Sequence, residues 1–256
     1  MPEKSTSSSF SYLDWPVNNV LAFTTTRHHP DKGSGRGLAQ GFGCFNLGDH
    51  VGDCHQQVEQ NRTLLTEFLP PQTQVQWLQQ VHGADVVEVD HYSKTPYIAD
   101  AAITRKKGIA LAVMTADCLP VLLASKNGTE IAAIHGGWRP LAANIISNTV
   151  KKMQTAPKSL YAWLGPCIGA SAFEIGQEVW ESFVRQDRIF AQAFTESDIK
   201  GKYLANLQLI AQLQLQQLGV VNVSVLPHCT FSMPEQYYSY RRESKTGRMA
   251  TVITCL

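Results

Sequence analysis

Two apolar segments flank the dipeptide Asn127-Gly128, and this pattern constrains the fold more than any other in the chain. Asparagine followed by glycine favours the positive φ angles of a tight hairpin turn, so residues 119–125 and 130–134 are predicted to pair as antiparallel strands. A hairpin brings its two far ends together. Cys118 precedes the first strand and His135 follows the second, so a thiol and an imidazole are expected side by side at one sheet edge. That pair is half of a zinc site.

A second feature lies directly beyond His135. Gly136-Gly137 frees the backbone there, and residues 141–153 are predicted to form a helix. The unpaired N–H groups at the start of such a helix would point back toward Cys118 and His135. Helix N-termini attract anions, so an anion could dock beside these two side chains.

Composition narrows the class of protein. The chain has 256 residues, 44% of them hydrophobic and 17% charged, with a net charge of +1. We expect one domain over residues 1–256, with a frayed tail over about residues 1–12. No Lys/Arg run appears, which argues against nucleic acid and favours a small-molecule substrate. The first residues lack the apolar core of a signal peptide and no apolar run is long enough to cross a bilayer, so a cytoplasmic protein without a membrane partner is predicted. We expect a monomer.

Other segments have the periodicity of ordinary secondary structure or the composition of loops. Strands are expected at residues 20–26, 86–89, 108–114, 160–164 and 221–226, and helices at residues 56–68, 173–185 and 203–218. Residues 28–43 are glycine-rich and predicted to be a mobile loop, and residues 237–253 are predicted to be a hairpin of exposed strands. The six cysteines include no C-x-x-C and are expected to remain thiols.

Three polar side chains have two interpretations each. Arg62 lies on the predicted helix 56–68, for which Asp53 is a fair N-cap, and is either a surface arginine or a clamp for a ligand anion. Asp117 precedes Cys118 and is either a turn carboxylate or a group that assists the metal site. His82, next to Gly83 at the end of a strand-like segment, is expected to face a cleft.

Five motifs in one order carry a family resemblance. They are Q-V-H-G (residues 80–83), T-A-D-C-L-P (115–120), H-G-G-W-R (135–139), L-G-P-C-I-G (164–169) and S-Y-R-R…T-G-R (239–248). Together they closely resemble the YfiH family, also called the laccase-domain or polyphenol-oxidase-like family, and the likeness extends from N-L-G-D-H-V-G-D (46–53) to the last residue. The resemblance implies a compact α/β domain, with mixed β-sheet layers flanked by helices, and one zinc ion held by His82, Cys118 and His135.

The resemblance also implies an activity, for which three alternatives are open. One is phosphorolysis of adenosine, inosine, guanosine and S-methyl-5'-thioadenosine, with deamination of adenosine. The second is copper-dependent oxidation of phenols, but a laccase needs about ten histidines, mostly paired as H-x-H, to build its copper cluster. This chain has eight histidines and no H-x-H, so zinc is predicted and copper is not. The third is a non-enzymatic binding module stabilised by the metal, or an editing factor for peptidoglycan precursors.

Phosphorolysis requires cations and N–H donors around phosphate. The expected ligands of substrate and phosphate are Asn46, Arg62, Gln80, Arg139 and Arg242, and the expected catalytic residues are Asp117, Cys118 and Arg62. Pro140 stands where many relatives have glycine, and proline is tolerated in the first turn of a helix.

Overall fold

The computed structural model describes residues 9–13, 15–30 and 41–256. The strands within these ranges are β1 (Phe10–Tyr12), β2 (Val20–Thr25), β3 (Gln74–Gln76), β4 (Leu78–Gln79), β5 (Val86–Glu88), β6 (Tyr97–Ile98), β7 (Ala101–Thr104), β8 (Ile109–Thr115), β9 (Leu119–Ser125), β10 (Ile131–Gly136), β11 (Leu160–Leu164), β12 (Glu174–Gly176), β13 (Phe194–Glu196), β14 (Lys202–Ala205), β15 (Asn222–Val225) and β16 (Met249–Cys255). The α-helices are α1 (His55–Thr66), α2 (Trp138–Ala142), α3 (Ile145–Lys152), α4 (Gln177–Val184) and α5 (Leu207–Gln217). Short 3-10 helices occupy Pro157–Ser159, Ala170–Ala172 and Arg188–Ala193.

Two large mixed sheets form the centre of the molecule. The first has five strands in the order β1-β2-β16-β8-β3, and the second has six in the order β15-β11-β9-β10-β7-β5. Most neighbours are antiparallel, whereas β3 with β8, β5 with β7 and β11 with β15 are parallel. Smaller sheets join β12, β14 and β13, and β4 with β6.

The buried side chains define four layers. Leu111 of β8 and Ile253 of β16 pack against Leu122 of β9 in the core between the two large sheets. The opposite face of the six-stranded sheet packs against α3, α4 and α5, and the outer face of the five-stranded sheet packs against Leu65 of α1. The mixed α/β fold, with sheets flanked by helices, is therefore confirmed.

The predicted central hairpin is present as β9 and β10. Every residue of both strands is buried, because side chains cover both faces of the sheet, which explains their continuous apolar sequences. The turn is wider than a two-residue hairpin. Ser125 N–H bonds to Glu130 O, and only Gly128 of the connecting residues has a positive φ, 71°. A Cβ on Gly128 would lie 2.4 Å from Asn18 O, so glycine is also needed there for space.

Three predicted helices and the C-terminal hairpin were wrong in extent. Residues 141–153 do not form one helix, because Asn144 adopts the left-handed conformation (φ 62°) between α2 and α3. The regions 173–185 and 203–218 each begin with a strand before the helix. Residues 237–253 contain no exposed hairpin. Their last part is β16, a fully buried strand between β2 and β8.

The N-terminal prediction needs correction for residues 10–12. These residues form β1, and buried Phe10 contacts the rings of Phe23, Phe45 and Phe68. Residues 1–8 of the predicted tail and residues 31–40 of the predicted loop lie outside the described ranges. Within the described ranges, no helix combines the length and the apolar character that crossing a bilayer requires.

Candidate active site

Three side chains from distant parts of the sequence meet at one end of the central hairpin. Cys118 immediately precedes β9, His135 lies near the end of β10, and His82 lies in the loop after β4. One ligand atom from each of these residues lies within 4.8 Å of the others. Cys118 Sγ is 3.9 Å from His82 Nε2, and the two imidazole rings have their centres 4.7 Å apart at 80°. The structure therefore brings together the three predicted metal ligands.

The geometry of this cluster fits a metal ion. A tetrahedral zinc with ordinary bond lengths separates its nitrogen and sulfur ligands by about 3.5 Å, close to the observed spacing of Cys118 and His82. Gly137 leaves the necessary room, because a Cβ at that position would lie 3.1 Å from Cys118 Sγ and 3.3 Å from His82 Cδ2. Two nitrogens and one sulfur are donors that borderline-soft metals prefer. His82, Cys118 and His135 are thus a group that can hold a metal ion.

The side chains around the cluster favour the ionised thiol. Burial alone would raise the pKa of Cys118, but the charges and hydrogen bonds of His135 and His82 outweigh burial and lower that pKa to about 6. Burial alone would lower the pKa of His135, but Cys118 and Asp100 raise it to about 9. His135 Nδ1 and Asp100 Oδ1 are 2.7 Å apart. A thiolate is the form of cysteine that binds metals.

The cluster opens into a cavity of about 410 Å³, a size that suits a small molecule. Most of the side chains that line the cavity belong to three groups: the candidate metal ligands His82, Cys118 and His135, aromatic or apolar residues, and basic residues. The aromatic members are Trp138, Phe173 and Tyr240, and the basic members are His50, Arg139, Arg241 and Arg248. Gln80 and Asp117 also line the cavity.

Three arginines line the cavity. Among the described residues, no carboxylate forms an ion pair with Arg139, Arg241 or Arg248. The Arg139 guanidinium stacks on the Trp138 ring at 4.3 Å, and that of Arg241 donates to the backbone carbonyls of Ala172 and Glu174. Burial lowers the pKa of Arg248 from its ordinary value, and the opposing charges of Cys118 and Asp117 do not fully offset burial. This side of the cavity is therefore suited to an anion.

Two predicted arginine ligands lie in other environments. Arg62 forms an ion pair with Asp49 at 3.2 Å, donates to Leu47 O and stacks on Trp77 at 4.4 Å. Arg242 donates to the carbonyls of Thr230, Phe231 and Tyr237. Neither arginine lines the cavity. Arg139 does line the cavity, but its predicted contact with substrate or phosphate stays a prediction. Arg241 and Arg248 entered the sequence analysis only as part of the S-Y-R-R…T-G-R motif.

The predicted amide ligands are engaged with the backbone. Gln80 lines the cavity, but its side chain donates to Met114 O and accepts from Met114 N–H. Asn46 is buried, and its amide bonds to Gly48, Arg248 N–H and Asp53. Asp53 was predicted to cap helix α1. The N-cap is instead Cys54, whose N–H bonds to Asp53 Oδ1. Asn46 thus organises the loop beside Arg248.

Asp117 has a strained backbone and a fully engaged carboxylate. Its φ is 92°, which is rare for a residue other than glycine. The Thr230 hydroxyl donates to Oδ1 at 2.6 Å, and Arg241 N–H donates to Oδ2 at 2.7 Å. The carboxylate therefore joins the loop that carries Cys118 to the loop that carries Arg241.

Comparison with known proteins identifies the family. A family model described as multi-copper polyphenol oxidoreductase laccase matches residues 22–256. The chain belongs to this family. Among the relatives, a purine nucleoside phosphorylase of Haemophilus influenzae is 45% identical over 243 residues, which cover 94% of this chain and 96% of that protein. Purine nucleoside phosphorylase YfiH of Escherichia coli is 41% identical over 212 residues, which cover 83% of this chain and 86% of that protein. The predicted membership of the YfiH family is confirmed.

Solved structures support the same assignment for the fold. The crystal structure of protein NMB0706 of Neisseria meningitidis superposes with a TM-score of 0.89 at 39% identity, covering 96% of this chain and 99% of that one. YlmD of Geobacillus stearothermophilus gives a TM-score of 0.85 at 27% identity, covering 98% of each chain. The YfiH-type fold thus extends over nearly the whole chain.

Proposed function

We propose that this protein is a zinc-dependent purine nucleoside phosphorylase. Its substrates would be adenosine, inosine, guanosine and S-methyl-5'-thioadenosine, with phosphate as the second substrate. The observation that carries the proposal is the shared cavity, in which Arg139, Arg241 and Arg248 lie beside a candidate metal site. None of these arginines forms an ion pair with a carboxylate of the described residues. Relatives at 41–45% identity with the name purine nucleoside phosphorylase support it.

Each part of the cavity has a role in this reaction. The positive charge of the arginines binds phosphate. The same charge offsets the negative charge of phosphate as phosphate approaches the ribose carbon. Trp138, Phe173 and Tyr240 offer flat apolar surfaces on which a purine can stack. Asp117 holds the Arg241 loop against the metal side of the cavity through its hydrogen bond to Arg241 N–H. Phosphate and nucleoside would in this way be bound next to each other.

We assign zinc to His82, Cys118 and His135 because two imidazoles and a thiolate are a common ligand set for zinc. When three protein ligands hold zinc, the open fourth position supplies Lewis-acid activation of water or of a substrate oxygen. Deamination of adenosine is proposed as a second activity on this basis. The family description suggests a copper-dependent oxidase, but this function has weaker support. A multicopper cluster needs more histidine ligands than this chain has, since its eight histidines include no H-x-H pair.

The near-neutral charge and the cavity of about 410 Å³ favour a small-molecule enzyme over a nucleic-acid-binding protein. We propose that it works in the cytoplasm as a monomer. Size-exclusion chromatography with light scattering would test the monomer, because a stable dimer would elute with twice the chain mass of 28.3 kDa.

The test of the activity is a panel of nucleosides incubated with and without phosphate and analysed by liquid chromatography. Inosine should yield hypoxanthine and ribose 1-phosphate only when phosphate is present. Adenosine should yield adenine with phosphate, and inosine by deamination. Release of the free base that does not depend on phosphate would contradict the phosphorylase assignment, and absence of inosine from adenosine incubated without phosphate would contradict the deaminase.

A further inference from the structure

Asp100 lies between β6 and β7, is fully buried, and touches two of the three candidate metal ligands. Its Oδ1 atom is 2.7 Å from His135 Nδ1 and accepts a hydrogen bond from His82 N–H at 3.0 Å. Its backbone carbonyl also accepts the N–H of His135 at 2.8 Å. One aspartate therefore fixes the ring of one ligand and the backbone of two.

The second carboxylate oxygen completes the support of the His82 loop. Asp100 Oδ2 accepts the N–H of Gly83 at 2.7 Å and of Val81 at 3.2 Å. Three consecutive backbone N–H groups thus converge on a single carboxylate. His82 has a φ of 58°, a left-handed conformation that is uncommon for residues other than glycine. The three hydrogen bonds to the carboxylate hold the backbone in this conformation.

The bond to His135 also selects which ring nitrogen can bind a metal. When Nδ1 carries a proton and donates it to Asp100, Nε2 is left with its lone pair. Carboxylates that orient a ligating histidine in this manner usually raise metal affinity.

We propose that Asp100 is the positioning residue of the metal site, holding His135 as an Nε2 ligand and His82 in its left-handed conformation. This inference rests on the proposed binding of metal by His82, Cys118 and His135. It assigns no chemical step to Asp100, whose function is to make the site rigid before the metal arrives.

Replacing Asp100 by asparagine tests its positioning role, because the two side chains have nearly the same shape. Only one of the two amide atoms of asparagine accepts hydrogen bonds, so Asp100→Asn must lose either the His135 contact or the N–H groups of Val81 and Gly83. A matched control is Glu130→Gln. Glu130 is also a buried carboxylate that accepts backbone N–H bonds, from Gln154 and Thr155, but it lies at the opposite end of β10 from His135.

Zinc affinity of the full chain would be measured by competition with a chromogenic chelator, and thermal unfolding would be followed in parallel. We expect the zinc Kd of Asp100→Asn to rise about 10- to 100-fold and that of Glu130→Gln to stay within twofold of wild type. With Co²⁺ in place of zinc, Asp100→Asn should also change the visible absorption bands, which report coordination geometry. An unchanged Kd and cobalt spectrum in Asp100→Asn, or an equal loss in Glu130→Gln, would overturn the inference while leaving the metal site intact.

Two further results separate the inference from the proposed site. If the wild-type chain binds no zinc, both the proposed metal site and the positioning role of Asp100 are wrong. If Asp100→Asn does not fold, nitrogen-15 NMR of the zinc-loaded wild type decides. A proton on His135 Nδ1 with the metal on Nε2 supports the role, and metal on Nδ1 contradicts it.

Discussion

Gly137 and Cys118 approach so closely that a Cβ atom on the glycine would lie 3.1 Å from the cysteine sulfur. The same atom would lie 3.3 Å from His82 Cδ2, so one methyl group would crowd two candidate metal ligands. Gly137 has φ −63° and ψ 163°, which any residue can adopt. An effect of alanine at this position would therefore come from the lost space and not from backbone strain.

Gly137→Ala is expected to weaken metal binding selectively. Overpacking of this kind costs about 1–3 kcal/mol, which corresponds to a rise of roughly 5- to 150-fold in the zinc Kd. The metal-free variant should unfold near the temperature of the metal-free wild type. Equal zinc affinity in the two proteins, measured by chelator competition, would show that the ligands do not need the space beside Gly137.

Elemental analysis of the purified protein should find about one zinc per chain. Cys118→Ser and His135→Ala should each lose most of it, because each removes a ligand from a group of three. His91→Ala removes an exposed histidine outside the cluster and should keep the metal. Acidification should release the zinc, since protons compete for the imidazoles and the thiolate. Full metal content in both ligand variants would refute the assignment.

A matched pair of arginine variants separates phosphate binding from structural support. Arg139→Ala should raise the KM for phosphate about 10- to 100-fold with little change in the melting temperature, because this exposed arginine lines the cavity and no carboxylate in the described part of the chain pairs with it. Arg62→Ala should instead lower the melting temperature and reduce phosphorolysis and deamination together, since it loses the contacts to Asp49, Leu47 and Trp77. Inosine phosphorolysis and adenosine deamination would be assayed in parallel. A selective loss of phosphorolysis in Arg62→Ala would restore the role predicted for it from the sequence.

Glu130 is expected to contribute to acid lability. Burial would raise its pKa, but hydrogen bonds from Thr155, Gln154 and Arg105 outweigh burial and hold the pKa below the ordinary value of 4.5. Its contribution to folding is therefore complete above about pH 4.5 and is lost as the pH falls through the lowered value of the folded state. Glu130→Gln should cost about 1–3 kcal/mol at pH 7 and flatten the fall in stability below pH 4.5. Urea unfolding from pH 7 to pH 3 would measure the loss of stability at pH 7 and its dependence on pH. Parallel plots of unfolding free energy against pH for wild type and Glu130→Gln would contradict the prediction.

Oxidation of phenolic dyes should be negligible beside nucleoside turnover, because the chain lacks the histidines for a multicopper cluster. The measurement is oxygen consumption with and without added copper. Strong copper-dependent oxidation accompanied by a blue absorption band would reverse the assignment of the metal.

The sequence predicted those parts of the site that depend on residues near one another in the chain. The apolar segments around Asn127-Gly128 were sufficient to place Cys118 and His135 at one edge. The break at Asn144 was missed because helical spacing continues across it, although asparagine is one of the few residues that tolerate the left-handed conformation. The C-terminal strand was misplaced because the arginines that precede it suggested an exposed segment.

The remaining site residues act through contacts that no local pattern reports. Asp100 bonds to His135 across 35 positions of sequence, and Asp117 bonds to Arg241 across 124. Arg248 and Arg242 stand close together in the chain and both donate to backbone carbonyls, yet only Arg248 lines the cavity. Only the packing of the C-terminal loop distinguishes them.

The position of β16 has a consequence for how the chain folds. This strand, Met249–Cys255, lies between β2 and β8, and the Thr24 and Thr251 hydroxyls bond across 227 positions of sequence. Until residues 249–255 arrive, β2 and β8 present unpaired edges to each other and the five-stranded sheet cannot close. Non-local pairing of this kind is slow. Refolding is therefore expected to proceed through a state in which the central hairpin is formed while the other sheet remains split, open at its middle and exposed to association with other chains.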